Sequence, residues 1–598
     1  MPWDLAVWLG YTLLGTRWEM GPSEGWARVA LVTGPDWTHA PSVADALRTA
    51  GLVFRKYSVD QLEAACTFAQ ILIVPPLGDA PEANTLLARH VEEGGSLICL
   101  GDTCGLNAYL GVRPPDEARE FGEGYLAPIG EHFVLGGETT PIHSVGGQCV
   151  VADGATPLAQ ILDRHGKPTG LCGLSVREHD SSTAIYLAPD LGLTAVRLRQ
   201  GSYVEMDGLP APDGTAPIRD GILRSEDGFM LDWDFDRTSD LAGEPPAFLL
   251  PAVDRLVGLL VRAAAYAAER MGLPLLLLWP HRNGAVATGM VSFATDGTDV
   301  QNVQTILHQA TLVGLRATWC LRSPGFSLDV AKALRTREHE VALQFETNEP
   351  EDWAADRLSF QQTRLSRSTG ARQLLSTSIQ DGRWQGRNEF WDWCARAAIE
   401  AEIGRMPRQP GNAGCLFGTF RPFRPARRDG SLLPVLSIPC LASDIGVAVS
   451  SARALEILEH AASTHGVAHF FFETRSFDDK TVSEAFRNLV AHARQRGVEW
   501  ATAEEIVERM KALRTMRVEL GVADEGLAVA LHPEYDMEEA AVCITGETVV
   551  GASAMQKRLR VSRVVRYGIP CCSVTVDLSA QCPTYIALER TTPAEMAS

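Results

Sequence analysis

The chain has 598 residues, with 74 acidic against 54 basic side chains and a formal charge of −20 at pH 7. One hydrophobic core does not keep growing to that length, so several domains are expected. The negative balance repels nucleic-acid phosphates and anionic headgroups over most of the surface, which argues against nucleic acid and membrane as partners.

A content of 45% hydrophobic and 21% charged residues implies folded structure throughout. The opening MPWDLAVWLGYTLLG lacks a basic leader and a small-residue cleavage site. The apolar stretch PLLLLWP at 274–280 is shorter than the roughly 20 residues a bilayer span requires. A cytoplasmic location is therefore expected.

In chain order, ARVALVTG (27–34) reads as a strand, SVADALRTAG as a helix, and QILIVPPL (70–77) as a second buried strand. The helix ANTLLARHVEEGG and the strand SLICLG (96–101) come next. Strands alternating with helices predict a parallel sheet covered on both faces, a flavodoxin-like layout. Residues 203–250, rich in Gly, Pro and Asp, read as a long irregular connection closing a first domain over 1–250. A strongly apolar helix and a turn at WPHRNG are expected to link it, over 251–284, to a second domain.

Strand and helix alternate again through GAVATGMVSFATDGTD, GLRATWCL and HEVALQFETNE, which predicts a distorted (β/α) barrel over 285–514. Beyond it, short alternating runs such as LAVALH, AAVCITG and TYIALER predict a small β-sandwich over 515–598. The class is thus α/β multidomain. The thirteen cysteines sit largely in apolar runs and are expected to be reduced. In a strand, the adjacent Cys571 and Cys572 would point to opposite faces.

Two resemblances sharpen this reading. The segment LLARHVEEGGSLICLGD with STAIYLAPDLGLTAVRLRQG (182–201) resembles the class I glutamine amidotransferase-like domain of β-galactosidase trimerisation modules. That likeness implies a homo-oligomer. The active members place a cysteine on a tight strand-to-helix turn; here LGDTCGLN offers Cys104, without a glycine two residues before it. A third reading, with this domain as the enzyme, needs a histidine partner for Cys104. The spacing of His39, His90, His132 and His143 nominates none.

Residues 285–514 resemble a polysaccharide deacetylase barrel of the NodB-homology type, carbohydrate esterase family 4. In that family the first strand ends in a phenylalanine, a base aspartate, any residue and a metal-binding aspartate; here the string is Phe293, Ala294, Thr295, Asp296. His339 and Glu340 match the following GHE strand, with His339 expected to be structural, while the ligand histidine falls on Gln344, followed by Glu346. Pro422, Phe423, Arg424 and Pro425 match a late loop, and Ile438, Pro439 and Asp444 the strand after it. The family's general-acid histidine falls on Glu473.

A methyl group at 294 cannot take a proton from water, and a glutamine is a poor zinc donor. The resemblance therefore implies a catalytically degenerate deacetylase relative of carbohydrate metabolism, acting as a binding or assembly scaffold. The alternative is a hydrolase removing N-acyl groups from an amino sugar, with Asp296, Glu346 and Gln344 holding Mg²⁺, Mn²⁺ or Zn²⁺. Trp384, Phe423 and Arg424 are the candidate carbohydrate contacts, because flat rings stack on pyranose C–H groups and arginines bind anionic ones. Arg421, Arg427 and Arg428 extend that basic patch.

Overall fold

The computed structural model describes residues 25–590 except 36, 78–79, 118, 120, 239–240, 296–299, 524–525, 547–548 and 555–556. It is a mixed α/β chain. Val29–Thr33 pairs in parallel with Arg55–Ser58 and Ile71–Val74, and Ser96–Leu100 and Thr183–Leu187 continue the sheet. Ile71–Val74 is buried along its whole length, as a parallel strand covered on both faces must be. The same nine-stranded sheet then turns antiparallel through Pro168–Glu178, Thr156–Asp163, Glu123–Pro128 and Ile142–Val145.

The segment expected to connect domains over 251–284 belongs to both of its neighbours. The helix Ala252–Arg270 is buried on almost every side and packs on the first sheet and on the helix Leu191–Gln200. A helix apolar around most of its circumference has to be enclosed. Next, Leu276–Trp279 pairs antiparallel with Met537–Thr545 and so becomes a strand of the last domain. Four consecutive apolar residues need cover on both faces: Leu276 and Leu278 enter the last domain's core, and Leu277 and Trp279 the core shared with the first sheet.

That last domain has a four-stranded and a five-stranded antiparallel sheet. Leu276, Val529, Val542, Ile544, Val574 and Ile586 share one core. Cys571 and Cys572 enter different hydrophobic clusters, so the pair does straddle its strand. All thirteen cysteines are free.

Between these units, a nine-stranded parallel sheet curls into an open half-barrel, eight strands forming its path and the short Val498–Trp500 pairing beside the first. In chain order the eight are Ala287–Thr295, Thr318–Leu321, Glu340–Phe345, Ser376–Ile379, Ala401–Glu402, Leu436–Ser437, Ala442–Ser443 and Val467–Glu473. The eighth returns beside the first, and the sixth and seventh are the two ends of this path. Among the described residues no helix is long and apolar enough to cross a membrane.

The units are locked together by polar groups with little access to solvent. Asp45, 3% exposed on the helix Ala40–Thr49, accepts from Arg424 Nε at 3.0 Å and from Arg514 Nε at 2.8 Å. Burial alone would push its carboxyl up, but the two guanidiniums outweigh it and hold the group below the usual range. Arg405 donates to the last carbonyls of the helix Leu191–Gln200, those of Arg199 and Gln200. Tyr567 donates to the Ala50 carbonyl at 2.8 Å and accepts from Arg421 at 3.0 Å.

Asp45→Asn should leave two guanidiniums without their counter-charge and cost roughly 3–5 kcal/mol, read as an earlier urea transition. A second ionic group lies inside the first domain. His143, buried, sits 2.7 Å from Asp236 and 3.1 Å from Glu123. Burial alone would lower its pKa, but the two carboxylates raise it to about 9. A raised histidine stabilises fully below its ordinary value near 6.5, and that contribution is lost as pH climbs through about 9. The melting temperature should therefore fall across that window, and the fall should be much smaller in His143→Gln.

Candidate functional site

In parallel barrels, chemistry gathers where the strands end and their loops begin. On the first barrel strand, Val291 and Phe293 enter the outer core, whereas Met290 and Ala294 belong to interior clusters. Ala294 is in register with Cys320 on one side and Glu473 on the other. It packs with Met406, Cys440 and Phe471, all buried. The place expected for a base is thus filled by a methyl group, a thioether, a thiol and a phenyl ring.

One interior position deeper, Ser292 Oγ lies 2.7 Å from His469 Nε2, and His469 Nδ1 donates to the Ile438 carbonyl at 3.3 Å. Burial pushes the His469 imidazole down to about 4, so it is neutral. A serine on an oriented imidazole has the form of a nucleophile and base. Here both are fully buried. Ala294, Phe471 and Cys440 each lie two residues beyond Ser292, His469 and Ile438, and so stand between the pair and the mouth. Strand alternation places Ser292 on the same strand face as Ala294, but no local pattern announces its pairing with His469, 177 residues away. The four-residue spacing of His465 and His469 would suit a histidine pair on a helix, but Gly466 and the following FFFE make it the approach to a strand, and His465 contacts the Val286 carbonyl.

Of the proposed ligand residues, Gln344 and Glu346 are among those described. Gln344 is buried with its Oε1 lacking a hydrogen-bond partner among the described residues, as does Gln380 Oε1 on the adjoining strand end. Burial raises the Glu346 carboxyl, and the charges that bear on it are those of Arg322, Arg357, Arg364 and Asp352. Glu473 pairs with Arg475. Asp296 lies outside the described residues. Among the described residues no three His, Cys, Asp or Glu side chains gather as a metal cluster. A neutral amide and a carboxylate among arginines are weak donors for a divalent cation.

Of the residues expected to contact carbohydrate, the two aromatic rings are buried. Trp384 is 2% exposed and packed against Trp391, Phe390 and Trp353, with Arg405 over its ring at 5.4 Å. Phe423 is equally buried, beneath Arg199. Arg424 serves Asp45, Arg421 is buried against Tyr567, and Arg427 pairs with Asp392. Neither Trp384 nor Phe423 offers a free ring face to a sugar, while Arg424 is part-exposed and Arg427 and Arg428 are exposed. His339 accepts from the Ala317 N–H, and Asp444 accepts from the Glu473 N–H at 3.1 Å, both ordinary strand-end contacts.

The connection over 203–250 wraps the barrel's loops. Val204 bridges Gly386, Arg224 bridges Arg383 and Phe248 bridges Gly414. Glu226, buried, accepts from the Arg408 N–H at 3.0 Å and from Asn412 at 2.6 Å. Loops following the fourth and fifth strands are thus held by this chain's own first domain. In that domain Cys104 is buried, in a left-handed turn (φ 50°), and its thiol donates to the Pro75 carbonyl. Its neighbour in hydrogen-bond terms is Cys99, not a histidine.

No family model matches the sequence, and no curated protein does. Among solved structures, the Xyl-CE4 domain of a xylanase from the Trinervitermes trinervoides hindgut metagenome is 11% identical, over 38% of this chain and 92% of that one, at TM-score 0.25. A peptidoglycan N-acetylglucosamine deacetylase is 12% identical, over 38% and 89%, at TM-score 0.25. A CE4 family pseudoenzyme from Bacillus anthracis is 12% identical, over 38% and 66%, at TM-score 0.24.

Restoring the missing acid should fail for a physical reason. Ala294→Asp places a carboxyl among Met406, Cys440 and Phe471, and should lower stability by roughly 2–4 kcal/mol. Thermal unfolding with and without added Zn²⁺ should show the same loss in both.

Proposed function

We propose that this chain is a polysaccharide deacetylase-like protein of carbohydrate metabolism whose barrel no longer runs the hydrolysis and serves as a binding or assembly scaffold. The observation that carries the reading is the apolar cluster of Ala294, Met406, Cys440 and Phe471 where a base would have to stand. A general base contributes about 10²–10⁴-fold to such a reaction, and nothing within that cluster can accept a proton from water. The loops that would form a substrate mouth are engaged by residues 203–250 instead. Carbohydrate or amino-sugar binding and assembly with further copies of the chain belong to the same proposal. They follow from the sequence resemblances, with a cytoplasmic setting.

The deciding experiment joins metal analysis of the purified protein to an assay on acetylated amino-sugar oligomers with added Mn²⁺, Co²⁺ or Zn²⁺. Neither stoichiometric metal nor turnover should appear. Stoichiometric metal together with turnover that vanishes in Asp296→Ala would establish the altered acidic site and overturn the scaffold.

A further inference from the structure

A cavity of about 620 Å³ lies away from the barrel mouth, between the first sheet and the last domain. That volume is in the range of small-molecule sites. One wall is the edge strand Arg55–Ser58 with the turn before it; the other is the end of the helix Ala503–Thr515 and the edge strand Arg517–Ala523. Leu52, Val53, Phe54, Phe68, Met516 and Leu520 contribute an apolar lining. Among them stand five arginines, Arg28, Arg48, Arg55, Arg514 and Arg517, against one acid, Glu519.

On a chain of net charge −20 this is a strong local reversal of sign. Part of the positive charge is already answered. Arg514 shares Asp45 with Arg424, and Arg517 stands 3.7 Å from Glu519. Arg48 and Arg55 have no ion pair among the described residues. Their guanidiniums lie instead over the rings of Phe54 and Phe68, at 4.9 and 4.2 Å from the centroids. A ring holds a guanidinium in place, while an arginine's several N–H donors suit a carboxylate or phosphate.

We propose that this cavity binds an amphiphile with a carboxylate or phosphate head and an apolar body, the head between Arg48 and Arg55 and the body against the Leu52, Phe54 and Met516 side. The apolar wall excludes a bare inorganic anion as the best occupant, and the arginines exclude a neutral one. The proposal is independent of whether the barrel is catalytic.

Calorimetric titration of the full chain with dodecyl phosphate, kept below its micellar concentration, tests it. Saturable binding at one molecule per chain is expected. Dodecyl maltoside and inorganic phosphate should each bind about tenfold or more weakly, since each lacks one of the two contributions. A parallel titration with dodecanoate separates the two head groups; tighter binding of either anionic amphiphile supports the site. Arg48→Ala and Arg55→Ala should each weaken binding about tenfold, the worth of one charge-assisted hydrogen bond. Arg55 is exposed, so Arg55→Glu should abolish binding without shifting the melting temperature. No saturable binding, equal binding of the neutral and anionic amphiphiles, several molecules per chain, or affinity unchanged in Arg55→Glu would each overturn the proposal.

Discussion

The Asp45 carboxylate holds the architecture together. It lies 379 residues from Arg424 and 469 from Arg514, yet one buried group accepts from both. A lone carboxylate in that position would be expelled or neutralised, because its desolvation costs several kcal/mol. The helix Ala40–Thr49 therefore tolerates an acid on its inner face only while the barrel loop and the helix Ala503–Thr515 are docked on it. Arg405 repeats the logic from the other side, placing a fully buried guanidinium on carbonyls that end a helix of the first domain. At Asp45 charge and counter-charge come from different units, so those pieces are poor candidates for independent folding.

This constraint also explains what became of the loops that resembled a sugar-binding surface. Phe423 and Arg424, in the PFRP segment, face inward because Asp254 captures the backbone just before them, accepting from Thr419 at 2.6 Å and from the Phe420 N–H at 2.7 Å. Trp384 and Trp391 enclose Arg405, and Trp391 donates to the buried Glu402. Residues that in sequence look like a recognition platform are an interface between units. Aromatic and arginine content suits either role, and only burial separates them.

The parallel strands of the first sheet and of the barrel were legible because apolar runs such as ILIV and MVSFAT carry their own burial pattern. The antiparallel half of the first sheet was not, since its longest strand pairs with repeated register shifts that blur the alternation. Leu276–Trp279 was hidden for another reason. It joins a sheet whose other strands begin at Met537, and no local pattern announces so distant a partner. At the candidate site, the loss of an acid at Ala294 could be read directly. Its companions Met406, Cys440 and Phe471 could not, because they come from three different parts of the chain.

The distribution of charge then bears on which ligands the molecule can hold. Buried arginines such as Arg199, Arg405, Arg421 and Arg453 are nearly matched by buried carboxylates such as Asp45, Glu226, Asp254, Glu340 and Glu402, so the outer surface keeps the acidic balance of the whole chain. A small anion approaching from solvent meets repulsion reaching about one Debye length, some 8 Å at physiological salt, before it feels the arginines of the cavity. Its head-group contacts must overcome both that field and its own hydration. An apolar body changes the balance, because burying it contributes about 25 cal/mol per Å² and is indifferent to the field. Acidic exterior, arginine-lined wall and apolar floor together select against free anions and against neutral amphiphiles, and leave the molecule that combines both features.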